Sequence, residues 1–172
     1  SNSAFGGSAL GSNISGNHNI AMGVNSLLLN ETGNRNVALS TASLYNNSDG
    51  NANIGIGYFS LQRNESGSYN VAIGDSAAYS SINLSHLVAI GSKALFANTG
   101  GTNLTALGDS ALYSNITGYK NIAIGNSALV KNTTGFQNIA MGYSALQKNA
   151  TGFANIAIGD SALPVNTSNW NI

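Results

Sequence analysis

The apolar residues of this chain recur in columns rather than in runs. Counting outward from Ala123 in steps of 17 gives Ala4, Ala21, Ala38, Gly55, Ala72, Ala89, Ala106, Ala123, Ala140 and Ala157, with no insertion or deletion. Residues 1–172 therefore read as a single domain of ten registered repeats. A fixed short period is the mark of a solenoid, in which each repeat is one coil stacked on the next. The residue before the anchor is Ile or Val in eight repeats, with Ser3 and Thr105 as exceptions, and the residue after it is apolar in all ten. Alternation with period two puts these two columns on one face of a short strand and the anchor on the other. The apolar pair is the expected core of the coil. A leucine column six places after the anchor, broken only by Ala78, supplies its third member.

Glycine follows two places after the anchor in nine repeats, Ser40 being the exception. Asparagine stands nine places after it in nine repeats, and glycine twelve places after it in eight. Both residue types tolerate positive φ, so the last two columns are the expected corners. Each coil is then expected to hold two strands and two turns, stacked at about 4.8 Å. The least regular stretch runs from Ala78 to Thr105, where Ser81, Leu84, Leu87 and Leu104 replace the residues of the pattern, and a local bulge is expected there.

Composition changes this picture in two respects. Only 7% of the residues are charged, six basic and six acidic for a net charge of zero, against a usual share of about 25%. Nothing basic is offered to nucleic acid or an anionic membrane. All twelve charged residues fall in six columns, none of them on the anchor strand, and those columns are expected to face water. An uncharged alanine column has two readings: it fills a narrow roll from inside, or it packs against another chain. The second is preferred, with Asn121, Ala123, Asn138, Ala140, Asn155, Ala157, Tyr119, Phe136 and Phe153 as the expected oligomer contact. A strip of about 480 Å² on each chain, from strand spacing, would just form a specific interface. Three apolar residues per coil also offset only part of the ordering cost, so interchain contact is expected to supply the rest.

The run Asn-Ile-Ala-Ile-Gly-x-Ser-Ala-Leu, clearest from Asn70, Asn121, Asn138 and Asn155, resembles the head repeats of YadA-like trimeric autotransporter adhesins. Similar repeats occur in phage tail-fibre proteins. The resemblance implies an all-β, left-handed parallel β-roll, three chains side by side, and a role in attachment outside the cell, on a cell or virion surface. The expected partner is the chain itself, as the homotrimer the resemblance implies or stacked end to end where caps are not visible, with a host-surface glycan or protein as candidate ligand.

Candidate chemistry is sparse. His18 and His86 share a column four coils apart, about 19 Å by strand spacing, and there is no cysteine. Zinc sites and nucleophile-base pairs lack parts. Asp75, Asp109 and Asp160 share a column but never adjacent coils, which makes a poor calcium cage. No catalytic residue, metal site or cofactor is expected, and the chain reads as a non-enzyme. Seven corners carry Asn-x-Ser/Thr (Asn13, Asn30, Asn64, Asn115, Asn132, Asn149 and Asn166). They are glycosylation acceptors in form, but side chains bonding their own turn explain the column better. Tyr119, Phe136, Phe153 and Trp170 lie in consecutive coils and should stack, while Tyr45, Tyr79, Phe96 and Tyr113 flank the leucine column as candidate receptor-facing aromatics. No apolar run is long enough to insert in a membrane. The sequence opens at Ser1 and stops at Ile172 part-way through a coil, so it reads as a mature product or an excerpt whose caps lie elsewhere. Two alternatives stand beside the adhesin or fibre reading: a filament subunit stacking end to end, and an ice-binding solenoid using the flat Ala/Asn face.

Overall fold

The computed structural model describes residues 1–166 and 168–171. Its regular structure is ten strands of three residues, from β1 (Ser3–Phe5) to β10 (Ile156–Ile158), paired in parallel and in sequence order within one sheet. Every pairing sets anchor against anchor: Ala4 on Ala21, Ala140 on Ala157, and Ala38 on Gly55 between β3 (Val37–Leu39) and β4 (Ile54–Ile56). The fold is the all-β parallel solenoid that the 17-residue period demands. Each coil advances the chain by one strand spacing.

The two faces of the strand are exchanged relative to the expectation from the sequence. Ala21, Ala38, Ala72, Ala89, Ala106, Ala123 and Ala140 are wholly buried, whereas Ile20 is 42% exposed and Ile122 38%. The anchor points into the coil and the apolar pair points out. Coil width is the cause. The leucine column crosses the interior, with Leu27, Leu44, Leu61, Leu95, Leu112, Leu129 and Leu146 fully buried. A Cβ built on Gly55 would already stand 3.1 Å from Leu44 Cγ and 3.2 Å from Ser60 Oγ. Leucine has taken the volume, so the strand facing it can offer a methyl group or nothing.

The leucine side is not the expected second strand but a series of tight turns. Residues four and six places after the anchor take positive φ in coil after coil, as at Ser110 (56°) and Leu112 (53°). Left-handed residues at every second position coil the backbone too tightly for an extended segment. Coil-to-coil hydrogen bonds persist all the same, for example from Leu112 N–H to the Ala128 carbonyl at 3.0 Å.

The corners also differ in their cause. The glycines with positive φ, 124° to 137°, are those two places after the anchor. The column twelve places after it lies outside the left-handed region and needs glycine for space: a Cβ on Gly101 would meet Asn115 Nδ2 at 2.5 Å and Asn98 Oδ1 at 2.6 Å. Around this column the interior is polar. Asn30 donates from Nδ2 to Asn13 Oδ1 (2.9 Å) and to the Gly33 carbonyl (3.1 Å). Asn47 repeats this on Asn30, and Asn64 on Asn47 (2.7 Å). A second ladder uses the asparagines two places before the anchor: Asn36 N–H donates to Asn19 Oδ1 (2.9 Å), and Asn19 Nδ2 donates to the same Gly33 carbonyl (2.8 Å). Buried amides are thus satisfied by their copies in the neighbouring coils.

Both ladders break within the stretch that departs from the repeat. Ser81 interrupts the first, leaving Asn64 Oδ1 buried with no partner. Leu87 and Leu104, both buried, interrupt the second. The strands run through this region in unbroken register, so the change is an apolar plug in a polar interior rather than a bulge in the sheet. At the other end the final coil is one residue short. Asn171, 16 residues after Asn155, accepts from Ile156 N–H and donates to Asn155 Oδ1 at 2.8 Å. Ile172, where the sequence places the run into a further coil, lies outside the described residues.

Candidate functional site

The most conspicuous surface is the outward strand face. Its two columns run from β2 (Ile20–Met22) to β10, every member is partly or fully exposed, and all are Ile, Val, Leu or Met except Thr105. All twelve charged side chains are exposed, as their columns implied, and none enters this stripe. The stripe is about 38 Å long, the eight strand spacings of about 4.8 Å from β2 to β10. A contiguous exposed apolar surface on this scale marks an interaction site.

The residues expected at an oligomer contact therefore divide. Asn121, Ala123, Asn138, Ala140, Asn155 and Ala157 are enclosed within the coil and present nothing to a neighbour. The alternative reading, alanine filling a narrow roll from inside, describes the packing. The same burial removes the Ala/Asn face on which ice binding would depend. Tyr119, Phe136 and Phe153 are at the surface and stack with centroids 4.9 and 4.7 Å apart and planes within 3°. Trp170 leaves the ladder: the shortened coil moves it one column on, to φ 60°, where it meets Phe153 edge-on at 6.0 Å and 81°. It borders a notch of about 300 Å³ made by Gln137, Ile139, Ala154 and Ile156 at the margin of the apolar stripe. What the sequence reading placed in the core, such as Ile122, Ile124, Ile139 and Met141, is the surface. The available signal was the restriction of the anchor to Ala or Gly.

Of the second aromatic group, Tyr79, Phe96 and Tyr113 stack at 5.2 Å per step, while Gln62 stands between Tyr45 and the rest. All four are half-buried along the leucine side. The corner asparagines Asn30, Asn64, Asn115, Asn132 and Asn149 are fully buried, with Nδ2 engaged in the ladder, so the folded chain offers no glycosyl acceptor at them. His86 stacks on Tyr69 at 5.4 Å. Among the described residues no three His, Cys, Asp or Glu come together, and no helix is long and apolar enough to cross a membrane. Comparison with known proteins finds no matching family model, no matching curated protein and no matching solved structure.

Proposed function

We propose that this chain is a non-enzymatic structural segment, the rod or head of an extracellular adhesin or fibre, in which identical solenoids pack side by side through the outward strand face, three to a bundle. The observation that carries this reading is the apolar stripe, broken only at Thr105, on a molecule whose charges all lie elsewhere. A single chain leaves at least one apolar side chain of this face partly in water on every coil, at a cost of order 25 cal/mol per Å² of apolar surface. A second copy of the same chain has the same length, the same 4.8 Å rise and the same stripe, so coil can meet coil in register along the whole rod. The resemblance of the repeat to YadA-like head repeats supports a left-handed coil, three chains around one axis, and a location on a cell or virion surface.

Light scattering on the purified chain tests this reading. A mass of three chains, constant on dilution through the micromolar range, is the expected result. A single-chain mass at every concentration would remove the assembly and with it the fibre role.

A further inference from the structure

A second surface has chemistry that side-by-side packing does not use. Immediately before the strand, in the N-terminal half, two neighbouring columns form a groove of about 470 Å³, within the range of small-ligand sites, about 300 to 1,000 Å³. Its floor is Asn17, Asn34, Asn51 and Ser68, and its wall is His18, Arg35, Ala52 and Tyr69. The floor is a fixed array. Asn17 N–H donates to Asn34 Oδ1, Asn34 N–H to Asn51 Oδ1 and Asn51 N–H to Ser68 Oγ, each at 2.9 Å. The groove exists because Ala52 opens a gap between Arg35 and Tyr69. These stand two coils apart, about 10 Å by strand spacing. Tyr69 is held from behind by the stacked His86 ring. No carboxylate lines the groove, since Glu31 and Asp49 belong to the corner columns. Arg35 is thus an exposed cation one coil from the gap.

We infer that this groove binds an acidic carbohydrate, a uronic- or sialic-type sugar within a glycan. Its carboxylate would pair with the Arg35 guanidinium, which suits a planar anion with two parallel donors. An apolar sugar face would lie on the Tyr69 ring, and ring hydroxyls would meet the amide array at the floor. A neutral polar sugar lacks the first contact. A phosphate lacks the second and third. The aromatic ladder at the C-terminal end of the same columns carries no such array, so the site is confined to the first four coils.

The test is titration of the protein, followed by amide NMR shifts, with a trisaccharide of galacturonic acid and with its neutral galactose counterpart. Saturable binding of the acidic sugar alone is expected, with shifts centred on 34–35, 51–52 and 69. Arg35→Ala should weaken it by about tenfold, the loss of one charge-assisted contact, and Lys120→Ala, three coils beyond Tyr69, should not change it. Ala52→Gln closes the gap with a residue that the column already accepts, since Gln137 holds the equivalent position at φ 56°, and should abolish binding in a normally folded chain. Absence of saturable binding, equal binding of the two sugars, or full binding by the Ala52→Gln variant would each overturn the inference. None of these results bears on the mass in solution, so the assembly reading stands or falls separately.

Discussion

Ser40 occupies the place that glycine holds in every other repeat, at φ 109° where those glycines lie between 124° and 137°. A Cβ on the equivalent Gly74 would meet the Gly91 carbonyl oxygen at 2.5 Å, so Ser40 is accommodated by a shifted backbone in a region that side chains rarely adopt. Replacing it should relieve more strain than the freedom glycine gains in the unfolded chain. Ser40→Gly is expected to raise stability by about 1 kcal/mol, read as a higher denaturation midpoint at unchanged slope. A second residue is out of place for the opposite reason. Ser81 is too short to reach Asn64 Oδ1, which stays unpaired in the interior. Ser81→Asn would place an Nδ2 donor where Asn47 and Asn115 have theirs. It should stabilise the chain by about 1 to 2 kcal/mol, the penalty of one buried unsatisfied acceptor. A lower melting temperature would show that the Leu84 and Leu87 plug has closed that space.

At the scale of the coil, stability rests on amide ladders as much as on leucine. Asn132 donates to Asn115 Oδ1 (2.8 Å) and to the Gly135 carbonyl (3.0 Å), and accepts from Asn149 (3.3 Å). Asn132→Ala removes all three and strands their partners, so a loss of about 3 kcal/mol is expected in urea unfolding. A loss under half of that would mean water or a neighbouring coil substitutes readily. Half of this bonding is legible in the sequence, since each corner Asn donates to the Gly carbonyl of its own turn as the turn reading expects; the coil-to-coil half is visible only as a column of Asn. Periodicity locates a residue in the coil but does not say whether its side chain turns inward. The period and strand register were legible because 17-residue steps leave one alignment of anchors. The faces were not, because a three-residue strand with Ile on one side and Ala on the other obeys period two whichever way it points. The deciding fact was volume: Leu112 and its copies fill the coil, and only a methyl fits opposite. Tight turns in place of a second strand were equally hidden, since Ser110 and Leu112 are not residues whose type calls for positive φ.

For the whole molecule, the inverted faces turn one substitution at adjacent positions into opposite experiments. Ile122, in β8 (Ile122–Ile124), points outward, and so does Ile139 in β9 (Ile139–Met141), its partner one coil on. Two lysines there place charges side by side in the C-terminal third of the stripe, where each can extend into water from a single chain. Ile122→Lys with Ile139→Lys should therefore keep the native circular dichroism while the mass in solution falls to one chain. Part of the melting temperature should go with the assembly, because association stabilises the native state by mass action. Ala123→Lys, one residue along, sends the same side chain into a coil already closed by leucine. Burying an ammonium among Leu, Ala and Asn with no counter-charge costs several kcal/mol, so this variant should unfold rather than dissociate. Were Ala123→Lys to fold as a monomer and the double isoleucine variant to unfold, the alanine column would be the contact surface and the coil would be inside out. A trimer that survives both lysines would place the contact elsewhere, with the Tyr119, Phe136 and Phe153 stack the next surface to substitute.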